Sequence, residues 1–154
     1  MPGTARAIAA CKLPRARRLT IYFGAENYGG NSSIADVRPL LLGKGVPALE
    51  HLGLCNAEFQ DALAAAVATS PLLKRLRSLD LSRGTMRESG AEAILAHADA
   101  FAHLERLDLS DNFIPEELCG RIEAALPKVE VDTRSQDSPS VYDGERYYYV
   151  SVSE

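Results

Sequence analysis

The chain is poor in the features that announce several kinds of chemistry. Its three cysteines, Cys11, Cys55 and Cys119, are odd in number and show no CxxC spacing. That argues against a disulfide framework or a zinc site and for a reducing compartment. No run of about 18 apolar residues exists that could span a bilayer. The N-terminal stretch "ARAIAAC" is short for a secretion signal and leads into arginines instead of a cleavage site, so a cytoplasmic location without membrane association is expected. Positive charge is not in excess: the formal net charge is −4 and the pI about 5.4. The small cluster Arg15, Arg17 and Arg18 does not change that balance, and nucleic acid is not expected as the main partner. GxGxxG, P-loop, HExxH and GxSxG motifs are all missing, and the Gly-rich "YGGNSS" lacks the lysine of a phosphate loop.

What the chain does have is repetition. The segment "LERLDLSDNFI" (104–114) aligns with "LRSLDLSRGTM" (76–86) and with "LEHLGLCNAEF" (49–59). Weaker copies are "ARRLTIYFGAE" (16–26) and "LPKVEVDTR" (126–134). Numbered along this motif, the fourth position holds Leu19, Leu52, Leu79, Leu107 and Val129, at spacings of 33, 27, 28 and 22. Between copies the apolar period becomes helical. Phe59, Leu63 and Val67 share one side of a helix, as do Ile94, Ala98 and Phe101, and then Leu118, Ile122 and Leu126. Pro115 followed by Glu116 and Glu117 reads as a first helical turn, with carboxylates near the positive helix end. Each unit is therefore a short strand, a turn and a helix.

These copies resemble leucine-rich repeats, with the long, helix-bearing units of the ribonuclease-inhibitor-like class. "MRESGAEAILAHADAFAHLERL" carries that pattern most fully. The chain also resembles a poorly characterised group of bacterial leucine-rich-repeat proteins, some of which end in a Tyr- and Val-rich tail like "RYYYVSVSE". The resemblance covers roughly residues 13–132. It implies an α/β fold: a right-handed leucine-rich-repeat solenoid with a short parallel β-sheet of about four or five strands on the concave face and α-helices on the convex face. It also implies a non-enzymatic module that binds a protein, with no cofactor. The departure lies at the ninth motif position, where Asn112 is matched by Gly24, Ala57, Gly84 and Arg134. A continuous asparagine ladder is thereby put in question.

The expected boundaries are an N-terminal helical half-repeat or cap at 1–18, the solenoid at 19–134, and a linker with a Tyr-rich hairpin or tail at 135–154. The N-terminal segment reads like the helix half of a unit whose strand is missing. Either it caps the coil, or the chain is the C-terminal part of a longer protein or an accessory subunit; an uncapped end would expose stacked apolar side chains and favour self-association. The five extra residues of the first unit fall in "AENYGGNSS", a loop carrying Tyr28. In the tail, Asp143-Gly144 between apolar-containing flanks signals a hairpin, and Tyr142, Tyr147, Tyr148 and Tyr149 make it either a cap or an aromatic docking strand.

Alternation along a strand places motif positions three, five and seven on one open face. Position three then holds Arg18, His51, Ser78, Arg106 and Lys128; position five Thr20, Gly53, Asp80, Asp108 and Glu130; position seven Tyr22, Cys55, Ser82, Ser110 and Asp132. The expected partner-binding residues are Tyr22, His51, Ser78, Asp80, Ser82, Arg106, Asp108, Ser110, Lys128 and Glu130. Strands about 4.8 Å apart would stack Asp80, Asp108 and Glu130 into an acidic column beside basic Arg106 and Lys128, a pattern suited to a charged protein partner. An open sheet supplies neither the cleft nor the two unlike environments of a carboxylate acid/base pair. His51 and Cys55 are four residues apart on one strand, on the order of 13 Å, too far for a catalytic dyad.

Overall fold

A computed structural model describes residues 2–26 and 32–152, with side chains from residue 6 onward. Tyr28 and its neighbours in the first-unit loop lie outside the described residues. The strands follow the leucine spacing. β1 (Arg18–Gly24), β2 (His51–Ala57), β3 (Ser78–Asp80), β4 (Arg106–Asp108) and β5 (Glu130–Asp132) form one parallel sheet in the order β1-β2-β3-β4-β5. Spatial order equals chain order. Leu19 lies beside Leu52, Leu52 beside Leu79, and Leu79 beside Leu107.

The helices between them are α1 (Pro2–Ala10), α2 (Ile34–Leu41), α3 (Gln60–Ala68), α4 (Glu88–Ala96), the short α5 (Ala98–Phe101) and α6 (Glu116–Ala125). They pack in succession, α1 on α2, α2 on α3, α3 on α4 and α4 on α6. Their apolar sides meet the even-numbered motif positions of the strands. Leu52, Leu54, Leu79, Leu81, Leu107 and Leu109 are buried with Leu63, Val67, Ile94, Phe101 and Ile122 in one continuous core. A sheet covered by helices on one face has a hydrophobic side and a polar side, and that asymmetry fixes the register, because a one-residue slip would turn every leucine outward.

Carboxylates cap two of the helix starts, one from within its own helix and one from the preceding unit. Asp36 in the first turn of α2 accepts from the Ser33 N–H at 3.0 Å and from Arg6 Nε at 3.0 Å. Asp61 at the start of α3 accepts from the Arg87 and Gly90 N–H groups at 2.9 and 2.8 Å, so one unit caps the helix of the next.

The fifth strand is displaced from its expected register. Arg106 pairs with Glu130, Leu107 with Val131 and Asp108 with Asp132. Val131, not Val129, is the fourth-position residue, which moves the whole last copy by two. Leu126 instead closes α6 as its buried C-cap, and its carbonyl accepts from the Val129 N–H.

Beyond β5, β6 (Ser140–Tyr142) and β7 (Glu145–Tyr147) pair antiparallel. Asp143 and Gly144 turn between them with φ of 49° and 81°, the two positive values a two-residue I′ turn requires. Residues after β7 run back over the strand ends, where Val150 is buried.

Candidate functional site

The open face of the sheet follows from the pairing. Position three reads Arg18, His51, Ser78, Arg106, Glu130, and position five reads Thr20, Gly53, Asp80, Asp108, Asp132. The acidic column is therefore Asp80, Asp108, Asp132. Glu130 belongs beside Arg106, and Lys128 lies two residues before β5 on an exposed turn, away from the sheet face. Its expected place in a basic column is corrected by the shifted register.

The three aspartates share one geometry. Asp80 Oδ1 accepts from the Ser82 N–H at 2.9 Å, Asp108 Oδ1 from the Ser110 N–H at 2.9 Å, and Asp132 Oδ1 from the Arg134 N–H at 3.1 Å. Each carboxylate thus bonds its own backbone two residues on, an Asx turn. The turn is set by the residue three places after each aspartate. The eighth-position residues Asn56, Arg83, Asp111 and Ser135 all have positive φ, 58°, 64°, 53° and 58°. There the strand turns out of the sheet, and the side chain of position five takes the N–H of position seven. The aspartates are part of the turn before they are part of any surface. The second oxygens of Asp108 and Asp132 face the Arg106 guanidinium, and Asp108 is half-buried, not enclosed.

Arg106 gathers three carboxylates, two on β5 and one on its own strand. Its guanidinium reaches Glu130 at 2.5 Å, Asp132 at 3.1 Å and Asp108 at 3.8 Å. Asp132 also receives Arg134 at 2.8 Å. Chiefly through the Arg134 hydrogen bond, its carboxyl is lowered to about 2. At the other end His51 Nδ1 lies 2.6 Å from Ser78 Oγ. Tyr22 is 55% exposed, whereas Ser82 in the same column is only 4% exposed. The expected residues are thus gathered on one face, but unequally: Tyr22, His51, Ser78, Asp80, Arg106, Asp108, Ser110 and Glu130 are reachable, Ser82 is covered and Lys128 stands apart.

Cys55 is fully buried, its thiol 3.7 Å from the Asp80 carbonyl. Burial, reinforced by the nearby Asp80 charge, pushes the thiol up to about 12, the opposite of what a thiolate nucleophile needs. Among the described residues no three His, Cys, Asp or Glu side chains converge as metal ligands. A row of alternating charge runs along the strand starts: Arg17 meets Glu50 at 2.8 Å, and Arg77 meets Glu105 at 2.6 Å. Water screens such exposed pairs, and they add little to stability.

Sequence reading missed two groups of residues. Gln60 and Gln136 carry amide functions expected only of Asn112. Gln60 Nε2 donates to the Leu54 carbonyl at 2.7 Å, and its Oε1 accepts from the Ala57 N–H at 3.2 Å. Asn56 binds the returning tail: its Nδ2 donates to the Val152 carbonyl at 2.5 Å and its Oδ1 accepts the Val152 N–H at 2.9 Å. An Asn at a left-handed turn position signals the turn, but nothing local signals a partner 96 residues away.

No family model matches the chain, and no curated protein does. Among solved structures, the crystal structure of a protein from Bacteroides fragilis is similar, with a TM-score of 0.81 and 28% sequence identity. The similarity covers 86% of this chain and 38% of that one. The chain therefore spans less than half the length of the structure it matches.

Proposed function

We propose that the chain is a short leucine-rich-repeat solenoid of the ribonuclease-inhibitor-like type, and that its open, concave sheet face is a non-enzymatic binding surface for a protein. The observation that carries the reading is the asymmetry of the sheet. One face is sealed by helices over a continuous leucine core, and the other presents Tyr22, His51, Ser78, Asp80, Arg106 and Asp108 side by side across four strands. A wide polar face on a rigid scaffold suits the contact area of a protein partner. The left-handed turn recurring at position eight in four units supports the repeat reading. The buried, high-pKa thiol and the aspartates engaged with their own backbone favour recognition over catalysis. An acidic net charge of −4 favours a protein over nucleic acid. Three free cysteines fit work in a reducing compartment such as the cytoplasm. No helix among the described residues is long and apolar enough to cross a membrane.

The test uses a substitution the geometry selects. Charge reversal at Asp80 and Asp108 would also break the turns at Ser82 and Ser110. Asp80→Asn with Asp108→Asn keeps an oxygen for each N–H and removes only the charge. Affinity capture with mass spectrometry identifies the partner on the unsubstituted chain, and titration then compares the two forms. The expected result is about tenfold or greater weakening, equivalent to about 1.4 kcal/mol. Unchanged affinity in the double variant would remove the open face from the binding surface.

A further inference from the structure

The tail crosses the strand ends in an ordered sequence. The Tyr148 ring stands edge-on to Phe113 at 5.1 Å, with the Arg87 guanidinium carbon 4.1 Å from its centroid. The Ser151 N–H donates to the Arg83 carbonyl at 3.1 Å, and its Oγ to the Asp111 carbonyl at 3.5 Å. Val152 is then held through both its N–H and its C=O by Asn56. Three of the four left-handed residues at position eight, Asn56, Arg83 and Asp111, therefore each contact the tail.

The chemistry of this edge is that of a peptide receptor. A carboxamide pairing with both polar groups of one residue reads main chain, whatever the side chain there. The carbonyls of Arg83 and Asp111 face outward because their residues turn out of the sheet. Selectivity comes from the aromatic seat between Phe113 and Arg87, four residues before the position Asn56 holds. Main-chain pairing combined with a side-chain seat is a general mode of extended-peptide recognition. The tail's hold is light. Residues 141–147, which lead into it, are all exposed, so the segment is anchored by one ring, Val150 and a few hydrogen bonds. Segments with few buried contacts open at low free-energy cost.

We propose that the strand-end edge built by Asn56, Arg83 and Asp111 is a docking groove for an extended peptide, held in this structure by the chain's own residues 148–152. A partner segment with an aromatic residue two places ahead of a small aliphatic one, as Tyr148 stands ahead of buried Val150, takes the same seat. The groove lies at the ends of the strands and is independent of the reading given to the open face. Because the resident tail is tethered, it competes at an effective concentration in the millimolar range for a short flexible connection; a free peptide of equal intrinsic affinity binds the intact chain only weakly.

The probe is a fluorescent synthetic peptide of residues 145–154, titrated into the whole 154-residue chain and into the same chain carrying Tyr148→Ala. The expected result is at least tenfold tighter binding to the Tyr148→Ala chain, whose own tail has lost its seat. A peptide carrying the same Tyr148→Ala change, or N-methylated at Val152, binds neither. Asn56→Asp, which tolerates the left-handed turn but loses the donor, abolishes peptide binding. Ser151→Pro gives a second released tail, since it removes the N–H given to Arg83, and is expected to behave like Tyr148→Ala. Equal affinity for the unsubstituted chain and both released chains overturns the proposal, as does binding indifferent to Asn56→Asp. A dimer of the unsubstituted chain in sedimentation that becomes monomeric in Tyr148→Ala also overturns it, because the occupant is then the tail of a second copy.

Discussion

Asn112 and Gln136 share one acceptor. Asn112 Nδ2 donates to the Leu109 carbonyl at 3.1 Å, and Gln136 Nε2 donates to the same carbonyl at 2.8 Å. They stand at the same place in successive units, five residues past Leu107 and Val131. Asn112 also bonds the Leu81 carbonyl at 3.0 Å and accepts the Met86 N–H at 3.1 Å; Gln136 likewise accepts the Ile114 N–H at 2.9 Å. Side-chain amides thus reach the carbonyls of Leu54, Leu81 and Leu109 in three successive units, with Gln60 serving Leu54 within its own unit. In the last two units the ninth position delivers the amide, as Asn112 and Gln136, whereas Gln60 delivers it from the start of a helix.

Asn112 is fully buried at the centre of this ladder. Its removal takes from the Met86 N–H and the Leu81 carbonyl the bonds it supplies in the interior, while the Leu109 carbonyl keeps Gln136. Asn112→Ala is expected to lower unfolding free energy by about 2–4 kcal/mol, the range for buried polar groups left unsatisfied. Gln136→Ala, on a half-buried side chain in the last unit, is expected to cost about 1–2 kcal/mol. Urea unfolding followed by circular dichroism measures both. Equal losses at the two sites would contradict the central role assigned to Asn112.

Gly84 explains why Gln60 can do this work. A Cβ at Gly84 would overlap Gln60 Oε1, so the side-chain amide occupies the room left by the missing methyl group. Gly84→Ala is expected to cost about 2 kcal/mol by displacing Gln60 from its buried bonds. Gly84→Asn combined with Gln60→Ala, which transfers the amide to the ninth position, is expected to recover at least about 1 kcal/mol over Gly84→Asn alone. A double-mutant cycle with no coupling between the two positions would show that they do not share the space.

The pattern of the chain made much of this visible before the structure, and its failures are instructive. The four leucines at position four fix β1 to β4 because burial of one sheet face allows only one parity. The fifth copy slipped because Val129 and Val131 have the same parity. A two-residue shift leaves every apolar side chain on the correct face, and only the pairing of Val131 with Leu107 decides it. Gln60 was not legible because it reaches position nine from the start of a helix, outside the motif's spacing. The aspartates were read as surface charges. Their turn role depends on the left-handed residue three places on, which has no fixed side-chain signature: Asn, Arg, Asp and Ser all occupy it.

The three thiols should separate cleanly in reactivity. Cys11 is exposed, while Cys55 and Cys119 are buried and raised by burial. With its thiol near 12 against an ordinary value of 9.0, Cys55 carries about a thousandfold less thiolate at a given pH than an ordinary cysteine. Its column neighbour Tyr22 is exposed, and the tail crosses beside Cys55 through Asn56 and beside Ser82 through Arg83. Mass-spectrometric labelling with a maleimide at about pH 8 is expected to modify Cys11 first and leave Cys55 for last. Tyr148→Ala is expected to raise the Cys55 rate by about tenfold or more without changing Cys119, because only the tail has moved. Parallel acceleration at both buried thiols would trace the effect to the whole fold instead.

Asp132 gives the chain an acid-sensitive joint between β4 and β5, the last two strands of the parallel sheet. The Arg134 hydrogen bond, opposed by burial and aided by the Arg134 N–H and by Arg106, lowers its carboxyl from 3.8 to about 2. A depressed folded-state value means the unfolded chain takes up the proton first as pH falls. The stabilisation is therefore complete above about pH 4 and is lost between about pH 4 and pH 2. Full conversion of the shift would overstate its size, because Arg134 is 82% exposed and water screens the pair. A contribution of about 1 kcal/mol is expected. Asp132→Asn retains an acceptor for the Arg134 N–H but has no charge to titrate. Urea midpoints at about pH 5 and pH 2.5 should converge for the two proteins on acidification, the unsubstituted chain losing about 1 kcal/mol more than the variant. A constant difference across that interval would mean that the Asp132–Arg134–Arg106 cluster holds β5 to β4 by geometry alone, with no part played by its charge.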